Sequence, residues 1–428
     1  MTIKRIFSFN RAAVILMALF MLFTAAGCTE GGSKDKTAAP DRTSKPANTD
    51  GSSPAETDAP TDKPTDEPEA TPLPAGADGK VAFYQLAPEE KSLMMSYVIK
   101  TPNGKIVVID GGIDGHGLDK APYLPAAIRA ILGLQDGEYF EVEAWFLSHH
   151  HKDHFNELAK MLTAYKESDN YKINNFYFSF PEFGTEWKSS AGDKDHDMEK
   201  GLVLRNAFDH YYGIVKFEGV KGADIPPATE AEIENTEHYY YKAINGAVIN
   251  DENIEKGLSI DVDGVSFRIL QKWAKGNQVV NSTSTVIRMV YKDHSVLFLG
   301  DSYNDNAAKL LRNVGAENLK SEYVQMSHHG QGGPTKKFYT SIEAQDSIRL
   351  WPTPKWVWDV DKKGPYRTYE TRAWMGLPED FREFAEQGLD KTGKDIVTGL
   401  YTAFPAEPSS AASWTAEVLD VQRVAVWE

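Results

Sequence analysis

The chain of 428 residues contains one cysteine, Cys28, so it cannot form an internal disulfide bond. It also has few basic side chains, with 46 Lys and Arg against 62 Asp and Glu and a formal net charge of −16. An acidic surface does not attract phosphate backbones, so the composition argues against general nucleic-acid binding and leaves only a local basic groove open. Residues 29–78 lack large apolar side chains, with Leu73 as the sole exception. Such a segment cannot bury enough surface to fold.

The first 28 residues carry the pattern of a leader that directs export. Three basic residues precede an apolar run at 12–23, and small residues then lead to Cys28. This order predicts a secretory signal peptide. Because the only cysteine follows Ala-Gly, the site resembles the lipobox of bacterial lipoproteins, which implies that Cys28 is lipidated. An ordinary signal peptide and a retained membrane anchor are the alternatives.

These observations predict a lipoprotein signal peptide at 1–27 and a disordered tether at 28–78 that is rich in Pro, Thr and Asp. A flexible tether of this length has an end-to-end distance of roughly 40 Å. We therefore expect a cell-membrane lipoprotein whose folded part lies on the extracytoplasmic face. Removal of the leader with its three basic residues makes the formal charge about −19.

A cluster of histidines is the strongest chemical signal in the chain. The pattern H-x-H-x-D-H is filled by His149, His151, Asp153 and His154. It follows a predicted strand and precedes a predicted helix, and a loop between the two can direct several side chains at one point. Neutral imidazole and carboxylate groups are ligands for zinc and similar metals. The motif therefore predicts a metal site rather than an inert histidine-rich loop.

Three further motifs follow predicted strands in the same way. Asp110 begins D-G-G, Asp301 ends G-D, and His328 and His329 begin H-H-G. In this order, the four motifs resemble the metallo-β-lactamase superfamily. More narrowly, they resemble the hydrolase domain of the bacterial competence-type DNA-uptake protein (ComEC-like) and its secreted relatives. The resemblance covers about residues 80–345.

Hydrophobic periodicity and turn signals indicate a mixed α/β chain. The predicted strands are Val81–Gln85, Met94–Ile99, Ile106–Ile109, Glu143–Leu147, Asn175–Phe180, Leu258–Val262, Val265–Leu270, Thr285–Tyr291, Val296–Leu299 and Tyr323–Met326. The predicted helices are Lys120–Leu132, Phe155–Lys166, Met198–Lys216, Asn304–Val314 and Pro378–Glu386. The resemblance implies an αββα sandwich of two mixed β-sheets flanked by helices.

The domain organisation follows from the same resemblance and from composition. We predict a catalytic domain at 79–345, with an insertion at about 181–255 and a C-terminal part at 346–428 that completes or caps the domain. The polar insertion either contributes to substrate recognition or is a peripheral structural element. The tryptophan-rich stretch 351–358 is expected to pack rather than to bind a ligand.

The resemblance implies a role for each candidate residue. It places His149 and His151 on a first metal, Asp153 and His154 on a second, and Asp301 between the two. One of His328 and His329 completes the second site, and we favour His328 because it is nearer the strand end.

Three further roles are implied. His329 then becomes a supporting group or proton donor and, with Asp153, a catalytic candidate. Asp110 is expected to hold a ligand or a bound water by hydrogen bonding. His150 alternates away from the ligand pair and is expected to be structural.

One departure from the superfamily concerns the first metal. Most members have another histidine before the strand that leads to Gly300-Asp301, whereas residues 277–288 contain none. The competence-type branch has Asn and Ser in this region. The missing ligand is then Asn281, a water, or a histidine of the insertion such as His196 or His210. Whether the site binds one metal or two is left open.

The resulting prediction is a metal-dependent hydrolase that uses one or two zinc ions, or manganese. A metal-bound hydroxide would attack the phosphorus of a phosphoester or phosphodiester, from a small molecule or linked to a polymer. Two alternatives remain: a β-lactam or lactone hydrolase, and a binding module that kept the fold without turnover. The oligomeric state is left open.

Overall fold

The fold is taken from a computed structural model of the chain, which divides into the units 1–69 and 70–428. The structure describes residues 74–86, 95–113, 123–164, 170–179, 203–204, 207–208, 211, 249–274, 279–352, 368–377, 395–397 and 422–428. The leader, Cys28, the tether, most of the insertion including His196 and His210, and the helix predicted at 378–386 lie outside these residues. Within the described ranges, no helix has the length and apolar character needed to cross a bilayer.

Seven helices and fourteen strands make up the described fold. The helices are α1 (Tyr123–Leu132), α2 (Lys152–Ala164), α3 (Asp251–Glu255), α4 (Asn304–Asn313), α5 (Ala316–Leu319), α6 (Lys336–Ser341) and α7 (Thr368–Trp374). The strands are β1 (Val81–Gln85), β2 (Tyr97–Lys100), β3 (Ile106–Ile109), β4 (Phe140–Leu147), β5 (Tyr171–Ile173), β6 (Phe176–Phe178), β7 (Ser259–Val262), β8 (Val265–Gln271), β9 (Val286–Tyr291), β10 (His294–Phe298), β11 (Tyr323–Gln325), β12 (Ile348–Trp351), β13 (Asp395–Val397) and β14 (Gln422–Trp427).

The strands form two mixed sheets of seven strands each. The first sheet has the order β14-β1-β2-β3-β4-β5, and β6 also pairs with β4. The second has the order β13-β12-β11-β10-β9-β8-β7. Parallel pairing joins β3 to β4 in the first sheet and β10 to β11 in the second. Parallel neighbours end at the same edge, so each sheet places two consecutive strand ends side by side.

Apolar side chains on both faces of each sheet produce a four-layer structure. In β3, Val107 and Ile109 belong to the cluster shared with the second sheet, whereas Ile106 and Val108 face α1 and α2. This alternation is the two-residue period of a strand that is buried on both faces. The outer face of the second sheet packs against α4 and α6, since Leu297 of β10 belongs to one hydrophobic cluster with residues of both helices. The predicted αββα sandwich of two mixed β-sheets is therefore confirmed.

The predicted strands fall on β1–β4 and β6–β11, with ends shifted by a few residues. The strands β5, β12, β13 and β14 and the short helices α3, α5, α6 and α7 were not predicted. Helix α2 begins at Lys152 and not at the predicted Phe155, because the His154 N–H already donates to the His151 carbonyl. Asp153 and His154 therefore lie in the first helical turn.

The C-terminal strand β14 lies antiparallel to β1, more than 300 residues away in sequence. Trp427 stacks on Phe83, with ring centroids 6.0 Å apart. It also stacks on His294, whose Nδ1 lies 2.7 Å from a carboxylate oxygen of Glu322. Strand β14 therefore covers one face of the His294 ring at the start of β10.

Candidate metal centre

Four strand ends bring the predicted site residues together. Asp110 follows β3, the H-x-H-x-D-H motif follows β4, Asp301 follows β10, and the histidine pair follows β11. Two of these ends belong to each sheet. The centre therefore consists of one half from the first sheet and one half from the second.

Asp110 organises the half that follows the first sheet. Its Oδ1 accepts a hydrogen bond from the Ser148 N–H at 2.7 Å, and its Oδ2 accepts one from Ser148 Oγ at 2.8 Å. The same Oδ2 lies 2.7 Å from His154 Nδ1. A carboxylate behind a ligating histidine fixes its tautomer and ring direction. Asp110 thus leaves His154 Nε2 facing the centre; Ser148 was not singled out from the sequence.

Asp301 lies between the two halves and is 1% exposed. Its Oδ1 lies 3.2 Å from His154 Nε2 and 3.8 Å from His329 Nε2. Its Oδ2 lies 3.7 Å from His149 Nε2 and 3.6 Å from His328 Nε2. Each carboxylate oxygen therefore faces a different pair of imidazoles, which is the arrangement expected of a bridging ligand.

The potential ligands form two groups whose members lie within 4.8 Å of one another. The groups are Asp153, His154, Asp301 and His329, and His149, His151 and Asp301. Within them, His329 Nε2 is 3.0 Å from Asp153 Oδ2, and His149 Nε2 is 3.1 Å from His151 Nδ1. The structure thus brings together every ligand that the H-x-H-x-D-H motif predicts, while His150 belongs to neither group.

The positions of His328 and His329 differ from the expectation. The structure places His329, not His328, with Asp153 and His154. The reason is the backbone, because both histidines have left-handed dihedrals, with φ of 52° and 57°. The chain therefore does not continue the alternation of β11, and nearness to the strand end does not determine which ring enters the second group.

Two glycines allow the close approach of backbone segments around the centre. Gly330 has φ of 81°, and a Cβ there would lie 2.3 Å from the Trp351 ring. Gly300 has φ of 55°, and a Cβ there would lie 2.9 Å from Ser148 Cβ. Ser284 Oγ accepts the Asp301 N–H at 3.1 Å. The loops of the two sheets therefore meet at distances that only glycine permits.

Burial and neighbouring charges set the protonation of the centre. Burial, together with His154, holds the pKa of His149 well below its usual value. Burial also disfavours the His154 cation, but the Asp301 and Asp110 carboxylates outweigh it and raise the pKa of His154 well above its usual value. The Asp301 pKa is held well below its usual value, because three histidines outweigh the effect of burial. A cation that binds His154 therefore has to displace a proton.

Several buried polar atoms of the centre are arranged to bind a metal ion rather than to form hydrogen bonds with one another. Nε2 of His154 lies 3.2 Å from Asp301 Oδ1 and Nε2 of His329 lies 3.0 Å from Asp153 Oδ2, but neither these nitrogens nor the Asp301 oxygens make a contact with hydrogen-bond geometry among the described residues. Buried polar atoms are normally satisfied, and atoms left without partners need a cause. Carboxylate oxygens and imidazole nitrogens converging in this way form a donor set typical of zinc or manganese. The residues present therefore fit a metal.

Asn281 and Tyr303 border the centre beside His328. Asn281 is 3% exposed, and its Nδ2 lies 3.1 Å from His328 Nε2. The Tyr303 ring centroid lies 5.3 Å from that of His328, and burial raises the pKa of the Tyr303 hydroxyl while the Asn281 side chain opposes this rise. Tyr303 was not singled out from the sequence, where its place two residues after Asp301 was the available signal.

Comparison with known proteins bears on the same region. The sequence matches the metallo-beta-lactamase superfamily over residues 95–304. A search of curated proteins gives no match. Solved structures with a similar fold include the short form of human tRNase Z (13% identity, 63% of this chain and 91% of that chain covered, TM-score 0.32) and YhfI from Bacillus subtilis (12%, 63% and 84%, TM-score 0.29). The matched residues include Asp110, the H-x-H-x-D-H motif and Asp301.

Proposed function

Because this chain belongs to the metallo-beta-lactamase superfamily, we propose that it is a metal-dependent hydrolase of phosphoesters, phosphodiesters in particular. The observation that carries the proposal is the Asp301 carboxylate, which joins two groups of potential ligands. A module that only binds a partner has no need of a buried bridging carboxylate with two sets of imidazoles around it. Turnover is therefore favoured over an inactive binding role.

Each of the two ligand groups would hold one metal ion. His149, His151 and Asp301 would hold one ion, and Asp153, His154, Asp301 and His329 would hold the other. Divalent zinc or manganese supplies Lewis acidity toward a phosphoryl oxygen and a water nucleophile near neutral pH. Asp110 supports this chemistry by aligning His154, and burial keeps the His149 ring neutral and able to act as a ligand.

The choice of phosphoester rests on two further features. The H-H-G motif and the Asn and Ser residues at 277–288 resemble the competence-type branch. The formal charge of −16 disfavours long nucleic acids, which places small or polymer-linked phosphoesters ahead of them. Fold similarity by itself does not define a substrate, so the site chemistry and this resemblance support the choice together.

We further propose that Cys28 is lipidated and holds the protein at the extracytoplasmic face of the membrane. The support is the single cysteine after Ala-Gly, followed by a Pro-rich segment with little apolar surface. Cys28→Ala should move the protein out of the membrane fraction or block maturation. Mass spectrometry that shows an unmodified Cys28 in the mature protein would contradict the anchor.

A panel of chromogenic substrates tests the activity. We expect metal-dependent hydrolysis of bis-nitrophenyl phosphate or nitrophenyl phosphocholine, and weaker turnover of a cephalosporin reporter. Asp153→Ala should abolish hydrolysis while urea denaturation shows a retained fold. Efficient cleavage of the cephalosporin, with no phosphodiester hydrolysis under zinc or manganese, would instead support the β-lactam or lactone alternative.

A further inference from the structure

The first ligand group contains two histidines, whereas the second contains two histidines and an additional carboxylate. The first group consists of His149, His151 and Asp301, and residues 277–288 provide no further histidine. Zinc is held by at least three protein ligands, and imidazole nitrogen is a preferred one. Of the two described histidines of these motifs outside both groups, His328 is the one that faces Asp301, since its Nε2 lies 3.6 Å from Asp301 Oδ2.

The distances around Asp301 match those between ligands of one ion. Two ligands at zinc bond lengths in tetrahedral geometry are separated by about 3.4 Å. His328 Nε2 lies 3.6 Å from Asp301 Oδ2, and His149 Nε2 lies 3.7 Å from the same oxygen. His328 and His149 therefore approach one carboxylate oxygen, while His154 and His329 approach the other.

The backbone after β11 explains how two adjacent residues reach opposite sides of one carboxylate. His328 and His329 have φ of 52° and 57°, and Gly330 follows with φ of 81°. Left-handed backbone is strained for a residue with a Cβ. Two such residues in succession at a site rich in ligands indicate that both ring directions matter for function.

We propose that His328 is the third imidazole ligand of the first metal and takes the place of the histidine that residues 277–288 lack. The inference rests on the proposed metal centre and assigns His328 to the opposite ion from the one expected from the sequence. His328 is not a member of the first group of mutually close donors, so ion binding draws its ring inward from Asn281.

Asn281 holds the His328 ring in the tautomer that this role needs. Its Nδ2 donates to His328 Nε2 over 3.1 Å, so this nitrogen presents its lone pair, as it must toward a metal. The amide N–H occupies the lone-pair direction that an ion would take. Asn281 is therefore a positioning residue rather than a ligand.

Zinc content of double variants separates the two possible assignments. Full-length protein is loaded with zinc chloride alone, dialysed, and analysed by elemental mass spectrometry. His149→Ala should leave one ion, and His149→Ala/His328→Ala should leave the same one. Asp153→Ala should also leave one ion, whereas Asp153→Ala/His328→Ala should hold that ion more weakly and lose most of it on dialysis, because one of its four ligands is gone. His328→Ala alone should weaken the affinity for one ion at least about tenfold.

Controls keep the outcomes distinct. His294→Gln removes a histidine outside the centre and should leave the zinc content unchanged. His328→Gln also removes the His328 imidazole but keeps a side chain larger than alanine, so it should reproduce the effect of His328→Ala. Loss of both ions in His149→Ala/His328→Ala, with one ion kept in Asp153→Ala/His328→Ala, would overturn the proposal by placing His328 on the second metal. A wild type without bound zinc would overturn the proposed metal centre itself.

Discussion

The two halves of the centre are built in different ways. The half that follows β4 is compact in sequence, since its four ligands lie between His149 and His154 and the first turn of α2 carries two of them. The half that follows β10 and β11 is assembled from separate segments, with Asp301 on one and the histidine pair on another. The first half is held by hydrogen bonds to Asp110, and the second by left-handed backbone and close glycines. Local sequence therefore defines the first half, while tertiary packing defines the second.

The largest effect is expected where the halves meet. Asp301→Asn should lower phosphodiester hydrolysis by more than about 100-fold, because the bridging carboxylate serves both groups. Hydrolysis of bis-nitrophenyl phosphate measures the loss. Asp261→Asn is the matched control, since Asp261 is an exposed carboxylate on β7. Wild-type rates in Asp301→Asn would show that the halves do not share a ligand.

A second prediction concerns the packing of the half that depends on backbone strain. Gly330→Ala should lower the free energy of unfolding by about 2–4 kcal/mol, because the new Cβ meets the Trp351 ring at 2.3 Å and φ is positive. Urea denaturation of metal-free protein measures the change. Gly332→Ala is the control, since its Cβ would have no heavy atom within 4 Å. Equal losses in the two variants would contradict the role of this contact.

The compact half is tested through Asp110. Asp110→Asn should weaken zinc binding about 10–100-fold at the ion held by His154, because it disturbs the hydrogen bond to His154 Nδ1. Zinc titration calorimetry resolves the two ions. The expected pattern is one weakened ion and one ion of nearly unchanged affinity. Equal weakening of both ions would show that Asp110 supports the whole centre and not one half of it.

The smallest effect is expected at the border of the centre. Tyr303→Phe removes a hydroxyl but keeps the ring that contacts His328, so it should change the affinity of the first ion by less than about fivefold. The zinc count should not change. Loss of an ion in Tyr303→Phe would identify the hydroxyl as a ligand, and the role given to His328 would then need revision.

The same contrast between the halves explains how much the sequence could predict. The layer order and most central strands follow from alternating apolar residues, and the H-x-H-x-D-H ligands follow from one short motif. The pairing of β14 with β1 could not be predicted, because partners so far apart in sequence leave no local pattern. The placement of His328 and His329 depends on two consecutive left-handed residues, and such a pair has no sequence signal because residues with a Cβ adopt this conformation singly.

The ion count of the purified protein tests the central claim most directly. After loading with zinc chloride and dialysis, the wild type should retain two ions per chain. His149→Ala and Asp153→Ala should retain one each, and a His149→Ala/His151→Ala/Asp301→Ala triple variant should retain at most the one ion that Asp153, His154 and His329 can still hold. The same zinc content in the wild type and the triple variant would contradict a metal centre built around Asp301.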